Sequence, residues 1–526
     1  MMQTKPPSPP ERPPWWRGAV IYQVYPRSFA DGDGDGVGDL EGLRARLGYI
    51  AGLGVDGIWL SPVFKSPMAD FGYDVEDYRA IDPLFGTLEA FDTLLADAHR
   101  LGLRVIVDLV LSHTSERHPW FLESRESRDN PRADWYVWAE PRPDGTPPNN
   151  WLSVFGGPAW SWEPRRGQYY LHNFLTAQPD LNLHTPAVQD AVLAELEFWL
   201  ARGVDGCRLD VANYYLHDPL LRSNPPRRCQ ERPADGVPDI SPYGRQQHIF
   251  DKSRPENLGF LRRLRALFDH YPDSVTVAEV HDDDSVARAA EYVAAPDLLH
   301  TAYGFSLLGP KLSATLIRDS LEAFAAQPGT GWPSWAFSNH DVPRAVSRWG
   351  DGSPAFAKLL VALLGCLRGT LFLYQGEELG LPEADIPREQ LQDPFGKALW
   401  PVFKGRDGCR TPMPWDGALP HAGFSAAAPW LPVAEEHRAR SVADQERDAD
   451  SVLAFTRRFL SWRRGQPALR LGDIAFADTP EPLLAFSRTL DGKSVRCAFN
   501  LGAAPITASC WGESLTLAGH GWVSVP

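Results

Sequence analysis

Short runs of β-branched and aromatic residues alternate with longer amphipathic stretches along most of this chain, and that alternation restricts its fold more than any other feature. The eight runs fall at 19–25, 57–61, 104–109, 206–210, 274–280, 299–303, 335–338 and 370–374. Between them, apolar residues recur at helical steps. Asp39, a good N-cap, precedes Leu40, Leu43, Leu47 and Ile50. Thr87 precedes Leu88, Phe91, Leu94, Leu95 and Ala98, and Gly102 follows as a stop. Thr185 as a cap, then Pro186 at the first helical position, opens Val188, Val192, Leu196 and Trp199. Strands alternating with helices pair in parallel through right-handed crossovers, and eight such units imply a closed (β/α)₈ TIM barrel of the α/β class.

Two interruptions are too long for plain loops. The barrel is expected to occupy 1–111 and 174–454, with a small inserted domain over 112–173, rich in Trp, Pro, Gly and Arg. A polar, proline-rich segment over 213–257 is expected to form a lid on the C-terminal face. From about 455 the helical period fades and short strands follow at 483–487, 494–500, 514–517 and 522–525, so 455–526 is expected to be an antiparallel β domain. With 52 basic against 67 acidic residues, a net charge of −15, the chain is a poor nucleic-acid binder. Its apolar run from Leu359 to Leu367 falls far short of the roughly twenty residues that span a bilayer, so no membrane partner is expected. The proline-rich start has no apolar signal core, and the six scattered cysteines (207, 229, 366, 409, 497, 510) form no CxxC pair. Free thiols and a cytoplasmic location are the expectation.

In such barrels chemistry gathers at the C-terminal strand ends. The third run ends in Asp108, with His113 just beyond; the fourth carries Arg208 and Asp210, the fifth Glu279, the seventh His340 and Asp341. Arg208 and Asp210 are two apart on a strand and share a face, so the guanidinium is expected to keep Asp210 ionised. Glu279 follows Val275, Val277 and Ala278, whose desolvation suits a general acid. A charged and a neutral carboxyl on adjacent strands, about 5 Å apart, fit retaining glycoside hydrolysis. Singly, each residue has a bland alternative: a helix cap, a structural ion pair, a core histidine. Four strand ends carrying such residues together make that alternative weak. A metal-dependent barrel hydrolase would need paired strand-end His ligands, which are missing.

DLVLSH, GCRLDVAN, TVAEV and FSNHD resemble four blocks of the α-amylase family in order and spacing, over nearly the whole chain from about Trp15. WWRGAVIYQVYPRSF, GYDVEDY, QPDLNL and CRTPMPW are similar to its oligo-1,6-glucosidase and α-glucosidase branch, nearest to bacterial exo-acting α-glucosidases. The resemblance implies retaining hydrolysis of short α-glucosides from the non-reducing end, releasing glucose. Position by position it makes Asp210 the nucleophile, Glu279 the acid/base and Asp341 the third carboxylate, with Arg208 orienting Asp210. His113 and His340 would hydrogen-bond the glucose and Tyr73 stack on it. Asp74 would clamp its non-reducing end with Arg410, Arg406 being the alternative in the same loop. A β-glucosyl-Asp210 ester would be resolved by water, or by another hydroxyl in transglucosylation. The competing functions are a glucosyl-shifting enzyme of sucrose isomerase or trehalose synthase type and an inactive sugar-binding homologue, which the intact carboxylates disfavour. Linkage cues conflict: Val211 points to α-1,6 preference, QPDLNLHTP and the long fourth loop to α-1,4.

DGDGDGVGDL places carboxylates at 31, 33, 35 and 39, a spacing that can wrap one hard cation. An EF-hand is excluded because its twelfth position is Gly42; the alternative is an acidic, turn-rich loop. The family resemblance implies Ca²⁺ or Mg²⁺ held by Asp31, Asp33, Asp35, the Val37 carbonyl and Asp39, a structural ion remote from the chemistry, with no organic cofactor.

Overall fold

The structure, a computed structural model, describes residues 13–228, 240–329 and 331–525. Eight strands close into a barrel as the alternation predicts. They are β1 (Val20–Val24), β2 (Gly57–Leu60), β3 (Arg104–Leu109), β4 (Gly206–Leu209), β5 (Val275–Val280), β6 (Thr301–Gly304), β7 (Trp332–Ala336) and β8 (Thr370–Tyr374), each parallel to its sequence neighbours, with β8 returning to β1. Parallel strands read as continuous apolar runs because both faces are covered. Ile21, Trp59, Ile106, Val275, Val277 and Phe372 fill the interior, while Val20, Tyr22, Ile58 and Val105 face the surrounding helices. β7 starts three residues before the expected run, because its Pro333 reads locally as a loop, and Phe337 to Asp341 lie beyond the strand end.

Local signals account for the helix starts. Asp39 caps Leu40–Ala45 by accepting from the Gly42 amide at 2.7 Å, and the chain breaks at Arg46 before Leu47–Leu53. Thr87 caps Leu88–Arg100. Thr185 precedes Pro186–Ala201 but spends its hydroxyl on the Asp134 carbonyl, leaving the helix start to Pro186.

Between β3 and the helix at Pro186 lie a helix (Pro119–Glu126) and a three-stranded antiparallel sheet, with Gln168–Leu171 between Trp138–Ala139 and Trp160–Glu163. The segment after β4 contributes 3₁₀ turns at Ala212–Tyr214 and Pro242–Arg245; residues 229–239 of the expected lid, Cys229 among them, lie outside the described residues. The five described cysteines are buried free thiols, and among the described residues no helix is long and apolar enough to cross a membrane.

The expected start of the β domain at about 455 is corrected. Val452–Arg464 and Pro467–Leu471 are helices, and strands begin at Asp473. Five arginines within residues 457–470 hide a helical face whose buried members include Val452, Leu453, Thr456, Phe459 and Leu460. The strands that follow form a four-stranded antiparallel sheet (Asp473–Phe476, Leu483–Leu490, Lys493–Asn500, Trp522–Val525) and a hairpin (Ile506–Cys510, Glu513–Leu517).

Candidate active site

A cavity of about 580 Å³ opens at the C-terminal strand ends, lined among others by Asp70, Tyr73, His113, Asp210, Glu279, Asp341 and Arg406. That size suits a small ligand. Asp210 and Glu279 therefore face one space, and they hang from one guanidinium. Arg208, wholly buried, donates through Nη1 to Asp210 Oδ1 at 2.5 Å and to Asp108 Oδ1 at 2.8 Å, and its Nη2 pairs with Glu279 Oε1. Glu279 also accepts from Tyr303 Oη at 3.1 Å and from the Val211 amide at 3.3 Å.

This sharing divides the hold that was expected on Asp210. Arg208 favours the ionised Asp210, but its charge is spread over three buried carboxyls. Burial pushes Asp210 up despite Arg208, with Asp108 adding to the rise. Burial pushes Glu279 up to about 7 against Arg208, as its apolar strand predicts. Asp341 moves the other way: against burial, the ring N–H of His340 and the guanidiniums of Arg406, Arg410 and Arg208 hold it below the ordinary carboxylate range.

The charged contacts at the cavity run through Asp70 rather than Asp74, and through Arg406, the alternative in the expected loop, rather than Arg410. Asp74 is buried and spent on the chain: it accepts from Ser66 Oγ at 2.9 Å and from the Ala69 and Asp70 amides at 2.9 and 3.0 Å. It thereby shapes the loop that aims Asp70 into the cavity. Arg406 Nη2 donates to Asp70 Oδ1 and to Asp393 Oδ1, each at 2.8 Å, while its Nη1 reaches Asp341 Oδ1 at 3.2 Å. Arg410 stands behind this pair, on Asp341 Oδ1 at 2.9 Å and the His340 carbonyl at 2.6 Å. No carboxylate contact joins Asp74 to Arg410. Gln178, which sequence reasoning passed over, donates to Asp70 Oδ2 at 3.3 Å and lies 3.1 Å from His113 Nε2. Its position in QPDLNL was the only signal.

The aromatic and histidine expectations divide. Tyr73 lines the cavity, but its ring stacks on His340, with centroids 5.4 Å apart. His113 lines the cavity and meets the Tyr73 carbonyl at 3.1 Å; burial drives it down to about 3, so it is neutral. His340, fully buried and likewise pushed down to about 3, has protein partners on both nitrogens. It acts on Tyr73 and Asp341 rather than presenting a free nitrogen to a sugar. The rest of the lining is largely apolar, with Val211, Phe305, Leu308, Pro343 and Phe403 among it.

In the acidic loop, one carboxylate oxygen each from Asp31, Asp33 and Asp39 lies within 4.8 Å of the others, a set of hard donors that fits one divalent cation. Asp35 lies outside that cluster; its carboxylate accepts from the Val37 amide at 2.7 Å.

A barrel gathering three carboxylates and an arginine clamp in one strand-end cavity is of the glycoside hydrolase class. Residues 23–472 match the model of the alpha amylase catalytic domain, and the chain belongs to the alpha-amylase family. It is 57% identical to a probable alpha-glucosidase of Rhizobium meliloti (strain 1021), covering 97% of this chain and 94% of that protein. It is 36% identical to an oligo-1,6-glucosidase of Heyndrickxia coagulans, over 93% and 92% of the two. Among solved structures it is similar to an alpha-glucosyl transfer enzyme, XgtA, with a TM-score of 0.96, 57% identity and coverage of 98% and 99%. It is also similar to the trehalulose synthase MutB, with a TM-score of 0.86, 32% identity and coverage of 98% and 100%.

Proposed function

We propose that the protein is a retaining, exo-acting α-glucosidase of short α-glucosides. The observation that carries this is the pairing of Asp210 and Glu279 on the two terminal nitrogens of Arg208, in a cavity that Arg406 closes by bridging Asp70 to Asp341. A terminal glucose fits against the Asp70–Arg406 pair, with its anomeric carbon at Asp210. Asp210 attacks that carbon while Glu279 gives its proton to the departing oxygen, forming a β-glucosyl ester. Glu279, now a base, takes a proton from water, which attacks the anomeric carbon, expels the Asp210 carboxylate and restores the α configuration. Asp341 holds sugar hydroxyls as the ring flattens.

A second resolution of the ester, by a sugar or alcohol hydroxyl, is supported by the likeness to an alpha-glucosyl transfer enzyme. The Asp31–Asp33–Asp39 loop is part of the same proposal: it would hold a structural Ca²⁺ or Mg²⁺ that screens three carboxylates, away from the cavity. With p-nitrophenyl α-glucoside, Asp210→Asn is expected to lower kcat about 10⁴-fold or more. Proton NMR of fresh product should show α-glucose first. An inverted first product, or an Asp210→Asn variant with near-normal turnover, would overturn the assignment. Analysis of maltose and sucrose products in the presence of an alcohol separates hydrolysis from transfer.

A further inference from the structure

Gln23 sits in β1, in a motif whose glutamine no step of the proposed chemistry uses. It is fully buried, with Nε2 2.8 Å from His340 Nδ1 and 3.3 Å from Ser61 Oγ. Hydrogen bonds run on from His340 without a gap. His340 Nε2 meets Tyr73 Oη at 2.6 Å, and Tyr73 Oη meets Asp108 Oδ2 at 3.0 Å. Asp108 Oδ1 meets Arg208 Nη1 at 2.8 Å, and Arg208 holds Asp210 and Glu279.

Donor accounting gives this chain a direction, starting from its far end. Arg208 and the Trp59 indole N–H, 3.1 Å from Asp108 Oδ2, can only donate, so the Asp108 carboxylate accepts from both. Tyr73 has one hydroxyl proton, and the carboxylate takes it. The Tyr73 oxygen must then accept from a proton on His340 Nε2. A neutral imidazole with Nε2 protonated has a bare lone pair on Nδ1, which needs a donor, and the amide N–H of Gln23 is there. The same Nε2 proton faces Asp341 Oδ2 at 3.3 Å.

We infer that Gln23 is a positioning residue: by donating to His340 Nδ1 it locks the imidazole in the tautomer that offers its Nε2 proton to both Tyr73 and Asp341. His340 is surrounded by Asp341 on its own loop, Arg208 from β4, and Arg406 and Arg410 from the segment after β8. The Tyr25 and Tyr73 rings stack on it at 5.7 and 5.4 Å. Burial first, then three guanidiniums against one carboxylate, keep the ring uncharged, so its tautomer, not its charge, is what Gln23 sets. The role in catalysis rests on the α-glucosidase proposal; the tautomer does not.

The test has two arms. In resting enzyme labelled with ¹⁵N-histidine, with the His340 signals assigned by their loss in His340→Asn, the expected pattern is a bare Nδ1 and a protonated Nε2 from about pH 7 to 8, above the value of about 6 to which burial raises Asp108. A protonated Nδ1 overturns the inference, whatever the substrate proves to be. In kinetics, Gln23→Glu keeps the shape but once ionised can only accept, which drives a proton onto Nδ1. It is expected to lower kcat about 10–100-fold, the usual scale for losing a partner that orients a functional histidine, and to add an ionisation to the pH profile. Gln23→Met, which removes the donor and imposes nothing, should lose less and add no ionisation. Equal losses with parallel pH profiles would mean that Gln23 merely fills space, and the inference falls. Should either variant fail to fold, the wild-type nitrogen spectrum decides alone.

Discussion

Arg208 has a harder task than orienting one nucleophile. It carries two salt-bridged aspartates and the acid/base at once, at zero exposure. With Glu279 pushed up to about 7, the acid form is available at neutral pH and is lost as pH rises through that value. The alkaline limb of kcat/KM is therefore expected near pH 7. Glu279→Gln should remove that limb and separate substrates by leaving group. Maltose, which needs the proton, should lose about 10²–10⁴-fold in kcat/KM, whereas p-nitrophenyl α-glucoside, whose phenolate leaves unaided, should lose far less. Equal losses on both would remove Glu279 from the acid role. The three carboxylates were legible because strand ends of a barrel converge wherever the barrel closes. The clamp was legible only in part: Arg406 was the alternative to Arg410, but Asp70, which faces the cavity, lies four positions before the expected Asp74. Motif spacing alone does not say which carboxylate of a loop is consumed by that loop's own amides.

Helices and loops carry two further expectations. The helix Pro354–Cys366 packs against Val452–Arg464 so closely that a Cβ built on Gly365 would stand 2.3 Å from the Phe459 ring. Alanine favours a helix by about 1 kcal/mol over glycine, yet the clash should cost about 1–3 kcal/mol. Gly365→Ala is thus expected to lower Tm, and a raised Tm would show that the two helices separate cheaply. The acidic loop separates a cap from a cation site. Asp39 caps Leu40–Ala45 with Oδ1, so Asp39→Ala should cost about 1 kcal/mol even in EDTA. Asp33 caps no helix. Asp33→Ala should leave the EDTA Tm unchanged but abolish the rise of a few degrees that millimolar Ca²⁺ gives the parent, which reaches about 2.7 kcal/mol at a hundredfold excess over Kd. Calorimetry showing no Ca²⁺ response in the parent removes the ion. The Asp39 cap was legible, being a contact within a few residues; the expected Thr185 cap was not formed, because its hydroxyl reaches the Asp134 carbonyl. The helix Val452–Arg464 was not legible, since its arginine-rich sequence conceals the face that packs on a helix nearly a hundred positions earlier.

Over the whole molecule, buried acids and bases bend stability with pH in opposite senses. Burial raises Asp108 and Asp210, raises Glu279, Glu377 and Glu383 to about 7 and Asp180 to about 8, so the folded state keeps protons that the unfolded chain releases. Stability from these groups falls as pH rises through those values. Burial lowers His113, His118, His217, His300, His340 and His437 to about 3, so below about pH 6.5 the unfolded chain takes protons the folded one refuses. The two sets oppose each other between about pH 4.5 and 6.5, and only the carboxyls act above that. Tm is expected to change little from pH 5 to 6.5 and to drop from 6.5 to 8.5; thermal melts showing a rise over the upper interval would contradict this. What the sequence determined by itself was the barrel and the strand ends that hold Asp210, Glu279 and Asp341, because period-2 and period-3.6 patterns are local and closure then fixes where the ends meet. Only the tertiary structure decided which loop side chains face the cavity, how one guanidinium is divided among three acids, and that Gln23 reaches His340 across 317 positions. Hydrogen-bond direction and burial are set by neighbours that the chain brings together only when the barrel closes.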